Sequence, residues 1–231
     1  MNHTIIISPT NQHITDALSV RGINIIPTQR IAELINYEQL HADMQICIIN
    51  DTIFIPENHK EIAEIGERVR YKIKLCKALS GKYPHNILLN VALIGNKLFC
   101  KVSDVATEIY EYCREHNIEI INVNQGYTKC STLILNEKSI ITADPSISDA
   151  ASEQGIDVLK ITPGHIILEG ADYGFIGGAS GVIGDTVYFF GDIETHPDSN
   201  KIIDFIEKNN MKQISLCSGM ITDIGGFVHI K

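Results

Sequence analysis

Four short segments of the sequence carry residue types that cysteine chemistry requires. Each stands just before an apolar run that predicts a strand, and the four are His41-Ala-Asp43, Gly126-Tyr-Thr-Lys-Cys130, Gly177-Gly-Ala-Ser180 and Asp223-Ile-Gly-Gly226. Turns before strands favour glycine or polar residues, but they do not require histidine, cysteine and aspartate at corresponding positions. A thiol near a histidine and carboxylates is the arrangement of an activated cysteine nucleophile. The pattern therefore predicts a thiol site where these segments meet.

The segment after Cys130 shows the structural unit that positions it. Residues 132–135 and 139–142 are short apolar runs separated by Asn136-Glu137-Lys138, which predicts two strands joined by a turn. A helix over 146–154, closed by Gly155, and a third strand over 156–161 follow. The unit is strand, turn, strand, helix, strand.

The same unit recurs along the chain. Its hairpin turns fall near positions 50, 95, 136 and 184, at intervals of 41 to 48 residues. The other three hairpins predict helices over 57–79, 105–116 and 199–209, and two of the third strands are expected over 118–123 and 213–216. On the long helix, Ile62, Ile65, Val69 and Ile73 would share one face.

A fifth unit is divided between the two ends of the chain. Residues 226–231 predict a first strand, and residues 4–8 predict a second strand with nothing before it. Residues 16–26 match residues 149–159 at five of eleven positions, which predicts a helix starting near Thr15 or Asp16 and closed by Gly22. Four internal units and one divided unit predict a closed ring.

Composition favours one soluble domain, 1–231, in the cytoplasm. The 231 residues are 44% hydrophobic, show no linker, and include no apolar run long enough to cross a membrane. Six cysteines without paired spacing are typical of a reducing compartment. The net charge of −9 argues against a nucleic-acid partner and favours cationic ligands.

These motifs resemble those of the pentein superfamily of guanidino-group-modifying enzymes, which includes arginine deiminase, dimethylarginine dimethylaminohydrolase, agmatine deiminase and amidinotransferases. The resemblance implies a five-bladed α/β propeller. Cys130-Ser-Thr-Leu-Ile-Leu is similar to the strand with the nucleophilic cysteine, and Gly126 precedes it as in the family. His41-Ala-Asp43 resembles the His-x-Asp motif, with His41 as acid and base and Asp43 as guanidinium ligand. Asp223 and the following Gly-Gly resemble the acidic strand that orients the histidine.

The order of these motifs around the ring is the family's order, as a circular permutation would leave it. The family's second guanidinium-binding aspartate has no match in the unit whose hairpin turn is near position 184, where Gly177-Gly-Ala-Ser180 stands. Glu169 or Asp172 would supply that charge from the preceding loop. The chain also resembles a clostridial-type family of this fold to which no activity is assigned.

The resemblance implies a hydrolase of the deiminase type, or an amidinotransferase, that acts on a small guanidino or amidine compound. Cys130 would form a covalent thiouronium, with His41 moving the protons and no metal or organic cofactor involved. The alternative is a binding protein of the same fold without activity, such as the ribosomal anti-association factor that shares this architecture.

Each candidate residue also has a structural interpretation. Cys130 could be a small core residue, His41 a helix cap, and Asp223 a turn former before Gly225-Gly226. Residues 177–181 could cradle an anion, although backbone geometry explains their glycines better. Other residues are of secondary interest: Asp192, Glu194 and His196 favour helix capping over a metal site, His165 and Cys217 are reserve candidates, and Cys47, Cys76, Cys100 and Cys113 fit the core.

Overall fold

Five three-stranded sheets contain all fifteen strands that the computed structural model describes, within residues 3–59 and 71–230. The strands are β1 (Thr4–Ile7), β2 (Asn24–Pro27), β3 (Cys47–Ile49), β4 (Thr52–Pro56), β5 (Lys72–Cys76), β6 (Ala92–Ile94), β7 (Lys97–Cys100), β8 (Glu119–Asn122), β9 (Thr132–Asn136), β10 (Ser139–Thr142), β11 (Asp157–Lys160), β12 (Ser180–Ile183), β13 (Thr186–Phe189), β14 (Lys212–Ser215) and β15 (Phe227–Ile230).

Every sheet has the same topology. A central strand pairs antiparallel with the strand before it and parallel with the strand after it, giving the sheets β3-β4-β5, β6-β7-β8, β9-β10-β11, β12-β13-β14 and β15-β1-β2. The parallel partner requires a crossover, and a helix provides it in the four units whose crossovers lie within the described residues. The strand-strand-helix-strand repeat predicted from the sequence is confirmed in this topology.

Three of the hairpin turns share one backbone conformation. Asn50, Gly95 and Gly184 occupy equivalent turn positions, with φ of 54°, 58° and 61°. Two-residue hairpins use positive φ because that turn matches the twist of the strands, and asparagine and glycine tolerate it best. The turn spacing read from the sequence therefore reflects a real repeat of geometry.

The divided unit closes the ring. β15 pairs antiparallel with β1, with Thr4 opposite Ile230 and Ile7 opposite Phe227. β2 then pairs parallel with β1. The first and last described segments thus build one sheet, as the repeat arithmetic predicted.

Five α-helices lie in the described residues; four of them are predicted by the sequence, with shifts at their ends, and the short helix over Ala42–Gln45 is not. They are α1 (Gln12–Ser19), the short α2 (Ala42–Gln45), α3 (Thr107–Glu115), α4 (Pro145–Glu153) and α5 (Ser199–Lys208). The predicted start of α1 near Thr15 is wrong, because the Asn11 side chain caps the helix by accepting from the Ile14 N–H at 3.4 Å. Gly22, with φ of 77°, ends the helical segment as predicted.

The predicted helix over 57–79 is wrong in its second half. Lys72–Cys76 forms β5 and pairs parallel with β4, so Ile73 belongs to a strand. Lys72-Ile-Lys-Leu-Cys76 alternates with the period of a strand, and the apolar spacing before it masked that change. Residues 60–70, including Ile62, Ile65 and Val69, lie outside the described residues.

The core lies between the sheets and their helices, while the first strands gather around the centre. Ile14 and Leu18 of α1, for example, pack with Ile5 and Ile7 of β1. Around the axis, β9 contacts both β6 and β12, and β12 contacts β15. The segments that precede the first strands therefore meet at one end of the ring.

In the described part of the chain, no helix has the length and apolar character needed to cross a bilayer.

Candidate active site

Five pre-strand segments converge at this end of the ring. The residues two positions before each first strand are equivalent in the repeat, and they are Gln45, Asn90, Cys130, Gly178 and Gly225. Four of these segments were identified from the sequence. The fifth, which precedes β6 and contains Asn90, was not.

Hydrogen bonds join the converging segments from one unit to the next. The Asp43 N–H donates to the Gly225 carbonyl at 3.1 Å, and the Asn90 side-chain amide donates to the Asp43 carbonyl at 3.1 Å. Asn90 Oδ1 in turn accepts from the Cys130 N–H at 3.2 Å. The Asn90 side chain therefore bridges the backbone at Asp43 and the backbone at Cys130.

The remaining bonds close the circle. The Gly178 N–H donates to the Cys130 carbonyl at 3.0 Å, and the Gly226 N–H donates to the Gly178 carbonyl at 2.7 Å. A Cβ atom on Gly178 would lie 2.1 Å from Asp223 Oδ1. The glycines before β12 serve close packing here, as the structural interpretation expected.

Three of the predicted catalytic residues line one cavity at this end. Cys130, His41 and Asp223 surround a space of about 160 Å³, together with Glu38. The other walls are aromatic or apolar: Tyr37, Met44, Tyr127, Leu168, Ala171, Tyr173 and Phe175. A thiol, an imidazole and two carboxylates therefore share one small, largely apolar space.

The Cys130 thiol is buried and held by two polar groups. Its residue is 3% exposed, Sγ donates to Asp43 Oδ2 at 3.0 Å, and the Asn90 amide donates to Sγ at 3.0 Å. Burial, followed by the negative charges of Asp43 and Asp223, raises the pKa of the thiol well above its ordinary value. Without a ligand, the thiol is protonated at neutral pH.

His41 lies beside Asp223. Its Nδ1 is 3.9 Å from Asp223 Oδ1, and both side chains are buried. His41 occupies the N-cap position of α2, but its side chain makes no capping hydrogen bond. The imidazole and the carboxylate therefore face each other within ion-pair distance.

Asp223 combines the two roles that the sequence left open. Its oxygens accept from the Gly225 N–H and the Phe175 N–H, both at 2.9 Å, so it does shape the turn. Burial is the main cause that raises the pKa of Asp223, to about 6, with a further increase from Asp43 and an opposing effect of His41. The same carboxylate therefore fixes the turn and faces the histidine.

Glu38 was missed in the sequence analysis. It is 3% exposed, and its carboxylate accepts from the Tyr127 hydroxyl at 2.8 Å and the Asn86 amide at 2.9 Å. Burial raises the pKa of Glu38, although these two hydrogen bonds oppose the shift. Its partners are 48 and 89 residues away along the chain, so no local sequence motif indicates a role for this carboxylate.

Asp43 contacts the Cys130 thiol but does not line the cavity around it. Asp43 Oδ1 is buried and has no hydrogen-bond partner among the described residues. The residue also lines a second cavity of about 430 Å³, to which Lys129 contributes. A buried carboxylate oxygen without a hydrogen-bond partner can accept a hydrogen bond from a ligand.

The other predicted binding residues lie farther from the thiol. Gly126 packs against Ile87 and Tyr83, where an added Cβ would come within 2.6 Å and 2.8 Å of their side chains. Glu169 lines an adjoining outer cavity rather than the one that contains Cys130. Asp172 is exposed and lines none of the cavities described above.

The secondary candidates also have structural roles. Asp192 caps a short 3-10 helix over Ile193–Thr195 by accepting from the Glu194 N–H at 3.0 Å, whereas the sequence placed its capping role at the helix after Pro197. His165 packs edge-on against His196, with ring centres 5.7 Å apart. Neither pair contributes to the cavity around Cys130.

The ring of five sheets and the site at its end define the pentein class of folds. Similar solved structures include a dimethylarginine dimethylaminohydrolase from Pseudomonas aeruginosa, as a cysteine-to-serine mutant in complex with citrulline, with 11% identity, a TM-score of 0.55, and coverage of 93% of this chain and 92% of that one. The inosamine-phosphate amidinotransferase StrB1 from Streptomyces griseus has 12% identity and a TM-score of 0.58, with coverage of 95% and 78%. The agmatine deiminase of C. jejuni has 11% identity and a TM-score of 0.51, with coverage of 93% and 75%. The chain therefore has the pentein fold.

Within that class, the chain belongs to a family of unknown function, DUF6873, whose sequence profile matches residues 5–228. A comparison with curated proteins gives no match. The fold is thus assigned by structure, and the family by sequence.

Proposed function

We propose that the protein is a cysteine-dependent hydrolase or amidinotransferase that acts on a small guanidino or amidine compound. The observation that carries the proposal is the shared cavity of Cys130, His41, Asp223 and Glu38. Proteins of the same fold include a deiminase and an amidinotransferase by name. The likeness in fold supports the proposal, while the chemistry rests on the site.

Carboxylates would bind the cationic head of the substrate. A guanidinium is planar, and its paired N–H groups suit carboxylate oxygens. Glu38 and Asp223 stand on the cavity wall, and Asp43 Oδ1 is the buried acceptor without a donor beside the thiol. We assign these three side chains to the substrate cation, with Asp223 also facing His41.

Substrate binding would activate the thiol. The pKa of Cys130 is raised by burial and by two negative charges, so a cation in the cavity offsets both causes. Asp43 Oδ2, 3.0 Å from Sγ, is the acceptor in place for the thiol proton. The nucleophile would therefore form only when a cation is present.

The reaction follows from these positions. The Cys130 thiolate forms a C–S bond to the central carbon of the guanidinium, and one C–N bond breaks as His41 gives a proton to the leaving ammonia or amine. His41 then takes a proton from water, and the resulting hydroxide adds to the thiouronium carbon. The C–S bond breaks to release a ureido product as the added hydroxyl loses its proton to solvent, and Asp43 returns its proton to the Cys130 sulfur. In amidino transfer, an acceptor amine takes the place of the water.

Turnover assays test this proposal. Release of ammonia or amine, with formation of a ureido product, is measured for a panel of guanidino and amidine compounds. We expect Cys130→Ser and His41→Ala to abolish product formation, while Cys217→Ser, at a half-buried thiol outside the cavity, keeps wild-type rates. Wild-type-like turnover by Cys130→Ser would refute the assigned nucleophile.

A non-catalytic binding protein is the second candidate. The observation that favours it is the resting thiol, which is 3% exposed, protonated, and already hydrogen-bonded to Asp43. Saturable binding of a cationic amidine without turnover by the wild type would support this candidate over the enzyme.

We also propose that residues 1–231 act as one domain in the cytoplasm. Five of the six cysteines are buried, and all six are free thiols, which suits a reducing compartment. Residues from all five units contribute to the ring of hydrogen bonds around the site. No unit could be removed without opening that ring.

A further inference from the structure

The cavity around Cys130 continues into a larger outer cavity. The outer space measures about 440 Å³ and shares Tyr37, His41, Leu168 and Asp223 with the inner one. A substrate whose head reaches Cys130 would therefore place its tail past His41. The outer cavity decides which tails are accepted.

The charges on both cavities have one sign. The acidic residues are Glu38 and Asp223 inside and Glu169 outside. Among the described residues, no lysine or arginine lines either space, and His41 is the only basic side chain there. A tail that carries a carboxylate would meet an acidic residue and no cationic partner.

We propose that the site selects guanidino compounds whose distal end is an amine and not a carboxylate. The inference rests on the proposed function and narrows its substrate class to a decarboxylated, doubly cationic compound. Glu169, considered above as a ligand of the guanidinium head, is assigned instead to the distal ammonium. It is a specificity residue, because it lies in the outer cavity and not beside the thiol.

The physical reason is desolvation. A carboxylate that enters a partly buried acidic cavity loses water and gains repulsion, with no positive charge in exchange. An ammonium in the same place is attracted by Glu169, and Tyr37, which lines both cavities, offers an aromatic ring, whose face favours cations. The connected aromatic wall of Tyr127, Phe175 and Tyr173, with adjacent ring centres 6.1 Å and 5.9 Å apart, lines the inner cavity, where it would favour the guanidinium head.

One feature of the outer cavity could favour an anion. Thr10 and Asn11 at the start of α1 line it, and a helix N-terminus attracts negative charge. However, Asn11 already caps that helix through the Ile14 N–H. Among the described residues, Glu169 and Asp223 are therefore the acidic side chains that line the outer cavity, and His41 is its one basic side chain.

Three compounds with one guanidinium and the same four-carbon chain test the inference. Agmatine ends in an amine, butylguanidine in a methyl group, and L-arginine carries both an amine and a carboxylate. Binding is measured by calorimetry on Cys130→Ser, which retains the charges of the cavity. We expect agmatine to bind most tightly, with a Kd roughly tenfold or more below that of arginine, and butylguanidine to fall between them.

Glu169→Gln provides the second arm, made in the Cys130→Ser background. It should reduce the advantage of agmatine over butylguanidine several-fold and leave butylguanidine unchanged. The matched control is Asp172→Asn, an exposed acid of the same loop that lines neither cavity, and it should change nothing.

Several outcomes would overturn the inference: arginine binding as tightly as agmatine, no binding of any of the three compounds, or equal losses for agmatine and butylguanidine in Glu169→Gln. Assays of the wild type separate this inference from the proposed function. Agmatine binding without product would refute the enzyme and leave the selectivity intact, whereas turnover of arginine in preference to agmatine would refute the selectivity and leave the enzyme.

Discussion

At the scale of single residues, the central feature is a thiol surrounded by acceptors and one amide. Cys130 donates to Asp43, accepts from Asn90, and lies near the negative charge of Asp223. The carboxylates raise the pKa of the thiol, and the Asn90 amide opposes them by stabilising the thiolate. The thiol is therefore protonated at neutral pH without a ligand, and the proposed mechanism requires a cation to change this balance.

Replacing Asn90 by alanine should make the Cys130 thiolate harder to form. The variant loses the donor to Sγ, so the pKa of Cys130 rises further, and alkylation by iodoacetamide at a fixed pH below that pKa should slow by roughly tenfold or more. The measurement is the pH-rate profile of Cys130 alkylation, followed by peptide mass spectrometry, with Cys217 as the reference thiol.

Asn96→Ala serves as the control for this prediction, since the Asn96 side chain donates to the Asn117 carbonyl away from the site. An unchanged profile for Cys130 in Asn90→Ala would show that the amide has only a structural role.

Part of the site could be predicted from residue types alone. Cys130, His41 and Asp223 each stand before a first strand, where a repeat makes an unexpected residue visible. Asn90 occupies the same position in the unit that begins with β6, and an alignment of all five units would have identified it. Glu38 could not be found in this way, because it precedes α2 in an irregular segment and its partners come from distant units.

At the scale of elements, the site depends on tight packing of turns. Gly178 and Gly225 have no side chain because Asp223 and His41 occupy the space, with a Cβ on Gly225 coming within 2.4 Å of His41 Cβ. Gly225 also has φ of 83°, which favours glycine. The turns therefore fix the acid and the histidine relative to each other.

Gly178→Ala should displace Asp223 and destabilise the fold. The new Cβ would lie 2.1 Å from Asp223 Oδ1, and overpacking of a buried site typically costs about 1–3 kcal/mol. Denaturant unfolding measures the free energy of unfolding, and turnover measures the site.

Gly184→Asn is the matched control for Gly178→Ala. Gly184 occupies a hairpin turn with open space around it, and Asn50 adopts the same positive φ in another unit. If Gly178→Ala proves as stable and active as this control, the contact with Asp223 has no structural role.

At the scale of the whole molecule, repetition made the fold predictable. Regular turn spacing, at intervals of 41 to 48 residues, and the match between residues 16–26 and 149–159 predicted five units and a ring, both of which are confirmed. The predicted helix over 57–79 failed because the strand signal of Lys72–Cys76 is short and follows an apolar stretch of helical period. The repeat of five units was thus easier to predict from the sequence than the position of the single strand β5.

Ring closure predicts tolerance to circular permutation. Thr4 pairs with Ile230, so a short loop joining the two ends would complete a fifth hairpin, and the chain could open at the exposed turn of Gly184 and Asp185. We expect the melting temperature of this permutant to lie within a few degrees of the wild-type value. Such a difference corresponds to a change of about 1 kcal/mol in the free energy of unfolding.

A second variant that ends at Ile224 tests the same closure. It lacks β15, leaves an edge of β1 unpaired, and should lose cooperative unfolding. Cooperative wild-type-like melting of the truncated chain would contradict the closed ring.

Buried thiols predict a loss of stability at alkaline pH. Burial raises the pKa of Cys100 to about 12 and that of Cys113 to about 11, against about 8.5 in the unfolded chain. A raised folded pKa gives stability that is complete below the unfolded pKa and decreases as pH rises toward the folded value. Urea unfolding at pH 7.5 and pH 10 should show a lower free energy of unfolding at pH 10.

Cys100→Ala provides the comparison for this pH dependence. It removes one titrating group and should reduce the slope of stability against pH between 8.5 and 10. A slope equal to that of the wild type would exclude Cys100 as a source of the effect.

The most direct test of the central claim is the labelling of Cys130 by a cationic probe. Chloroacetamidine mimics the guanidinium head, and neutral chloroacetamide supplies the same leaving group without the charge. At pH 7, intact mass should show one rapid amidine adduct, lost in Cys130→Ser and slowed in Glu38→Gln and His41→Ala, with far slower labelling by the amide. Equal rates for the two probes, or an amidine adduct that persists in Cys130→Ser, would contradict a cation-activated thiol at the centre of the ring.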